Sequence, residues 1–397
     1  MTLVVLAVIA TSPSPASPPQ RSTPPADDNR DRGADKGPRP GLLRYELSSV
    51  AEQVKRLLTA QGQDSISVGT ISGPAQMPGS AGAGIVAVLT EELGRRGIRV
   101  ARRAALGLKG EYRASDGRSE SRGPRPANSS AKAAPAKILA AVLKVRVEDG
   151  DGSTLLELKR ETRDEATLAA LFGLSYQQSF TNGAYQSQQA VVRNSFDTPQ
   201  PALDGTMIKG GADSPYAVEI LAKGDDQRYR ARAPHVEDGL AFVPLRRGDV
   251  YAVKLSNRSD FDAAANLTID GLSMFAFSKE KGDPRLIIPA GKSVTIVGWY
   301  RTDEVSDEFL ITSYAKGAAA ELNASAEDVG TITVTFAAAW TDKRPPDEPR
   351  QVEMAADPAD AADATGKGKQ VEAKFTRVQR EIGRTRAAVS IRYTKTK

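Results

Sequence analysis

The chain has 397 residues, 40% hydrophobic and 26% charged, and its 54 basic against 49 acidic side chains leave a net charge of +5. That length suits two domains of ordinary size, and so thin a positive balance argues against a nucleic-acid binder, whose surface is more densely basic. The absence of cysteine excludes disulfides, thiolate metal sites, thiol nucleophiles and lipid attachment through a cysteine.

The chain opens on an apolar run, Leu3 to Ala10, of signal-peptide length. Ser14-Pro15-Ala16 follows, with small residues at the two positions a signal peptidase reads, although no Lys or Arg precedes the run. Residues 1–16 are therefore expected to be a signal peptide and the protein to be exported, periplasmic or extracellular. No other run approaches the roughly 20 apolar residues that cross a bilayer, so no membrane span is expected. Residues 17–41 are Pro-rich and charged, with almost nothing apolar to offset their ordering entropy, and read as a disordered tether.

Leu47, Val50, Ala51, Val54, Leu57 and Leu58 recur at helical spacing, with Glu52, Lys55 and Arg56 opposite. Ser65 to Ile71 alternates as a strand and ends at Gly73-Pro74. A second helix is predicted from Gly84 to Arg96 with Gly97 as its cap. Strands follow at Ile98 to Val100, Leu108 to Arg113, Ile138 to Val147 and Leu155 to Arg160, the last two joined by the turn Gly150-Asp151-Gly152. Residues 116–136 have no hydrophobic period and read as a surface insertion. The first domain is thus a small α/β unit spanning 42–172, and residues 173–213, rich in Gln, Asn, Ser and Gly, read as a linker.

From Ser214 the period becomes two. Tyr251, Val253 and Leu255, then Leu267 and Ile269, Val294 and Ile296, Phe309 and Ile311, and Ile332, Val334 and Phe336 each line one face of a strand, with turn residues between them. This is the cadence of an antiparallel, Ig-like β-sandwich over 214–395. Residues 341–369 lack aromatics and read as a disordered insertion, followed by a closing hairpin, Val371 to Val378 and Ala387 to Tyr393, with Ser390 and Arg392 outward. The fold class expected is α+β.

Motifs that carry chemistry are sparse. The single histidine, His235, has no second histidine for a metal site and no partner for a triad, and reads as a surface-loop residue. Pro78 to Gly84 sits between a strand and a helix, where phosphate loops occur, but lacks both the spaced glycine order and the Gly-Lys-Ser/Thr ending. Arg95, Arg96, Arg99, Arg102 and Arg103 form the densest basic cluster, suited to an anionic polymer or simply to a helix C-terminus. Trp299, Tyr300 and Trp340 stand at strand ends and read as core caps or as a sugar-stacking platform. Asp270-Gly271 reads as a type I′ turn rather than a calcium site. No catalytic, metal or cofactor-binding residue is assigned, and no cofactor is expected.

With Val68-Gly69-Thr70-Ile71, the helix Gly84 to Arg96, Gly97-Ile98-Arg99-Val100 and Lys109-Gly110-Glu111-Tyr112 in place, the order of elements over residues 45–165 resembles the small α/β domain of bacterial envelope proteins of the CsgG, FlgO and LpoB type and of the TolB N-terminal domain. The resemblance implies an exported, non-catalytic domain acting through protein contacts at the cell envelope. Members are commonly lipoproteins anchored by a cysteine, which this chain lacks, and the transmembrane hairpin of the curli-secretion pore is absent from its sequence. The second half, with Tyr251, Asn257, Ile269-Asp270-Gly271-Leu272 and Gly298-Trp299, is similar to uncharacterised β-sandwich domains of exported bacterial proteins. The leading expectation is an exported, non-enzymatic protein with a protein partner in the envelope. The alternatives are a carbohydrate- or cell-wall-binding module using Trp299, Tyr300 or Trp340, and an enzyme with a carboxylate-only site.

Overall fold

The computed structural model describes residues 2–7, 43–74, 81–116, 139–178, 185–278, 284–311, 329–348 and 369–396. In chain order these form β1 (Thr2–Ala7), α1 (Leu43–Ala60), β2 (Ser65–Ser72), α2 (Gly82–Arg95), β3 (Arg99–Val100), β4 (Gly107–Ser115), β5 (Ala140–Glu148), β6 (Thr154–Thr162), α3 (Glu165–Phe172), β7 (Tyr176–Gln177), α4 (Tyr185–Asp197), β8 (Ala202–Asp204) and β9 (Met207–Lys209). They continue with β10 (Tyr216–Lys223), β11 (Tyr229–Ala231), β12 (His235–Glu237), β13 (Leu240–Phe242), β14 (Leu245–Arg246), β15 (Val250–Asn257), β16 (Asp262–Ile269), β17 (Leu272–Ser273), β18 (Leu286–Ile288), β19 (Ser293–Ile296), β20 (Gly298–Thr302), β21 (Val305–Leu310), β22 (Val329–Trp340), β23 (Gln370–Glu372) and β24 (Phe375–Thr396). The architecture is α+β and mostly strand. The expected tether 17–41, nearly all of the insertion 116–136 and residues 349–368 of the second insertion lie outside the described residues.

In the N-terminal half a five-stranded sheet runs β3-β2-β4-β5-β6. Its β2, β3 and β4 are parallel, as the helical crossover through α2 requires, and β4, β5 and β6 are antiparallel. The tight β5–β6 turn is held by Asp149, whose Oδ1 accepts the Asp151 and Ser153 N–H groups at 3.0 and 2.8 Å. Leu47, Val50, Ala51, Val54 and Leu58 of α1 and Ile85, Val86, Leu89 and Leu93 of α2 are buried against one sheet face, which supplies Ile66, Val68, Leu108, Tyr112, Leu143, Val145 and Val147. Each such aliphatic side chain contributes about 1.5–3 kcal/mol on burial. Helix α2 stops as expected at Gly97 (φ +77°): the Gly97 N–H bonds Gly94 O and the Ile98 N–H bonds Leu93 O, the paired bonds of a Schellman end.

In the C-terminal half a ten-stranded sheet follows the order β1-β18-β16-β22-β24-β13-β12 and a nine-stranded sheet the order β20-β21-β15-β10-β9-β8, with short strands pairing off each path. Val218, Ile220, Tyr251, Val253 and Phe309 from the second sheet and Leu267, Ile332, Val334, Phe336, Val389 and Ile391 from the first belong to one hydrophobic cluster. Thr2–Ala7, which overlaps the apolar run Leu3 to Ala10 of the expected signal peptide, lies as β1 antiparallel to the start of β24 and parallel to β18.

Three expectations need correcting. Residues 173–213 are not a bare linker: they supply β7, α4, β8 and β9, and β7 pairs with β24 at Ala387 and Ala388. The expected closing hairpin is instead one long strand, β24, because residues 379–386 contain no turn pair and Gly383 serves to let the Glu348 carboxylate approach the backbone. Residues 341–348 are placed rather than loose, with Glu348 buried and both it and Asp347 at 2.8 and 2.7 Å from Arg386.

The face of β24 expected to meet solvent is buried as well. Ser390 and Arg392 lie beneath the end of α3, 0% and 2% exposed. Ser390 Oγ donates to Leu174 O (2.8 Å), Ser390 N donates to Ser175 Oγ (2.9 Å), and Arg392 Nη2 donates to Gly173 O (3.2 Å). A strand can alternate polar and apolar and still be buried on both faces when each hydroxyl finds a partner. Burial lowers the Arg392 pKa to about 10.

Candidate functional site

One face of the five-stranded sheet is occupied by helices; the other presents charge. Alternation along β4, β5 and β6 sends Lys109, Glu111 and Arg113, then Lys144, Arg146 and Glu148, then Glu157, Lys159 and Glu161 to this second face. Register sets Lys109, Arg146 and Glu157 in one row and Glu111, Lys144 and Lys159 in the next. Glu157 accepts from Arg146 at 2.8 Å and lies 3.0 Å from Lys144, while Lys109 reaches Glu148 at 2.7 Å. The Arg146 hydrogen bond, then that of Lys144, holds the Glu157 carboxyl below the usual range. Such exposed pairs add little stability. Their value is an ordered pattern of both signs on a rigid sheet, which discriminates between partners better than it attracts a polyanion.

A second polar cluster lies buried between the halves. Asp164 caps α3, its Oδ2 accepting the Thr167 N–H at 2.7 Å, and the next residue, Glu165, turns its carboxyl inward. Gln189 of α4 donates to Glu165 Oε1 at 3.1 Å, and Tyr176 of β7 donates to the Glu165 carbonyl at 3.2 Å. Gln178, 3% exposed, lies close enough to influence the carboxyl, yet among the described residues its amide meets no partner within hydrogen-bond geometry. Desolvation, then the Asp164 charge, raises the Glu165 pKa to about 7 against the opposing pull of Arg384, Gln189 and Gln178.

The residues singled out by sequence are scattered. His235 is exposed in edge strand β12 rather than in a loop, stacked on Phe242 and 3.9 Å from Glu237. Of the glycine-rich loop, residues 75–80 lie outside the described residues. The N-terminal turn of α2 that follows is plugged, since the Ala81 N–H donates to Tyr112 Oη at 2.9 Å and Gly84 presses on Gly271. Of the arginine cluster, Arg95 pairs with Glu91 and Glu92, and Arg96 binds Glu92, Glu52 and Ser48, tying α2 to α1. Arg99 stands 3.5 Å from Asp64. Arg102 and Arg103 are exposed in the segment between β3 and β4, so the cluster is split between helix-tying pairs and an exposed group.

Trp299, Tyr300 and Trp340 are 5%, 0% and 8% exposed. Trp299 sits edge-on to Phe277 and Phe309, Tyr300 packs on Phe275 and Phe375, and Trp340 donates to Glu381 at 2.8 Å. A stacking platform cannot be built from rings so deeply placed. Asp270-Gly271 is the expected type I′ turn, with φ of 52° and 80°. Its carboxylate is spent on structure, Oδ1 accepting the Thr331 N–H and Oδ2 the Tyr393 hydroxyl, each at 2.8 Å. Replacing Asp270 by Ala should cost about 2 kcal/mol, from two lost bonds and a strained left-handed backbone; urea midpoints of the two chains measure it.

Buried carboxylates elsewhere face cations. Glu308 meets Lys223 at 2.8 Å, Glu219 meets Lys254 at 3.0 Å, and Asp307 meets Arg301 at 3.5 Å. Asp347 and Glu348 approach each other only across Arg386, whose hydrogen bond holds Asp347 below the usual carboxylate range. Among the described residues no group of three or more His, Cys, Asp or Glu is placed to hold a metal ion, and no helix is long and apolar enough to cross a membrane.

Sequence reasoning missed Glu165, Gln178 and Gln189, although Asp164 before an apolar run is an N-cap signal that locates α3. Comparison with protein-family models, curated proteins and solved structures finds no match to this chain.

Proposed function

We propose that this is an exported, non-catalytic, envelope-associated protein that acts through protein–protein contacts, its small α/β domain presenting the charged sheet face while the two large sheets form a β-sandwich behind it. The observation that carries this reading is the contrast between the two faces of the five-stranded sheet: one packed under α1 and α2, the other carrying rows of charged side chains of both signs on β4, β5 and β6. Such a face is already solvated and costs little to expose, yet a partner with the complementary pattern gains specificity from it. The apolar start of the chain and its small residues at 14–16 support export. The element order shared with envelope domains supports the setting, and the common hydrophobic cluster of the two large sheets supports the sandwich.

The test is capture from an envelope extract by chain 17–397, with mass spectrometry of what is retained. A specific protein should be held, and should be lost with the double reversal Lys144→Glu and Arg146→Glu, while stability stays within about 0.5 kcal/mol because these pairs are exposed. Capture that survives the reversal would place the contact elsewhere, and retention of glycans alone would overturn the protein-contact reading.

A further inference from the structure

The strands β1, β18, β16, β22 and β24 form a ring that β1 closes, because it pairs with both β18 and β24. The reason lies in the lengths of its neighbours. Strand β22 ends at Trp340 opposite Glu381, so the earlier part of β24, Phe375–Arg380, has run past it and takes β1 as its ladder partner. Strand β18 uses one edge for β16 and the other for β1.

Behind this slot lies a cluster separate from the main cores: Ala264, Ile287 and Ala339 are buried, with Val378 and Ile382 packed against them. In register, Val4 stands opposite Val378 and Leu6 beside Ile287. The basic residues at the rim are already engaged, Arg377 with Asp303 at 2.9 Å and Arg380 with Asp262 at 3.1 Å.

We propose that this slot is a strand-acceptor site for a partner protein. Removal of residues 1–16, by hydrolysis of the peptide bond after Ala16 during export, lets the mature chain fold with the slot empty, and an extended, uncharged segment of branched aliphatic residues from the partner then takes the place of Thr2–Ala7. This inference rests on the export reading. Ordinary strand addition gains ladder bonds along one sheet edge; here two edges are offered. The filled slot defines the ligand: six residues, apolar at alternate positions on both faces, selected by shape and not by charge.

The experiment compares chain 17–397 with the full chain, using a fluorescent peptide of residues 2–10 that carries a C-terminal Lys tail for solubility, read by anisotropy. Saturable binding to 17–397, at least about tenfold weaker to the full chain because its own β1 competes from high effective concentration, is the expected result. Val378→Asp should abolish binding while circular dichroism and thermal midpoint show the chain still folded, and a peptide with Asp at positions 4 and 6 should not bind. Equal binding to both chains, or none to 17–397, overturns the site. Concentration-dependent dimers of 17–397 that the peptide dissolves would make a second copy the occupant and overturn the partner assignment. Intact mass of the exported chain reports leader removal on its own: retained residues 1–16 would sink the export premise, whereas peptide binding decides the slot.

Discussion

Replacing Glu165 by Gln should flatten the pH dependence of stability between about pH 4.5 and 7 and leave the variant the more stable chain above pH 7, by roughly 3 kcal/mol. The sign follows from the direction of the shift. Burial raises the folded-state pKa from 4.5 to about 7, so within that window the folded state holds a proton that the unfolded state has lost. Stability therefore falls as pH rises through the window. At pH 4 both states are protonated and the residue costs nothing. Above pH 7 the carboxylate is charged in both states, and the folded chain bears the full desolvation cost beneath α4 and β7. Among the described residues, the carboxyl is faced by Asp164 from its own helix boundary, Arg384 from β24, Gln189 from α4, Gln178 after β7 and the Tyr176 hydroxyl of β7. Only Arg384 is cationic. A glutamine keeps the carbonyl that accepts from Gln189 and removes the charge. Urea midpoints from pH 4.5 to 8 give the answer, and parallel curves for the two chains would refute the assignment.

Gly84→Ala should cost about 3 kcal/mol, the upper part of the usual overpacking range, whereas Gly94→Ala in the same helix should gain about 0.5–1 kcal/mol. The two glycines share a helix and differ in what surrounds them. A Cβ on Gly84 would collide with the Gly271 carbonyl, backbone against backbone, at the point where α2 meets the β16–β17 turn. A Cβ on Gly94 meets nothing within 4 Å, so alanine there acts only through helix propensity. Limited proteolysis adds a structural readout: the Gly84 variant should be cut in the α2 region at lower protease concentration than the natural chain, and the Gly94 variant should not. Equal stability of the two variants would mean that α2 does not rest on this turn.

Local pattern carried much of the fold. The stripe of α1, the Gly97 stop of α2, the Asp270-Gly271 turn and the period-two strands are legible because each is decided by residues within a few positions of one another. Helix α3 is hidden because Ala166 to Phe172 is almost uniformly apolar and shows no stripe. Helix α4 is hidden because its Gln-, Asn- and Ser-rich composition imitates a linker. Burial of Ser390 and Arg392 is settled by Gly173, Leu174 and Ser175, more than 200 positions away, where no short window reaches. The same distance explains the candidate surface. Lys109, Lys144 and Glu157 are individually ordinary charged residues, and they become ordered rows only when the β4–β5–β6 register sets them side by side.

Strand β24 also sets the timetable of folding. It pairs with β1, β7, β13, β14 and β22, and its Ala388 belongs to the N-terminal core while Val389 belongs to the C-terminal one. During synthesis the ribosome makes this strand after everything it joins, so neither half reaches its final packing until those residues have emerged. Contacts of such sequence separation form late and slowly.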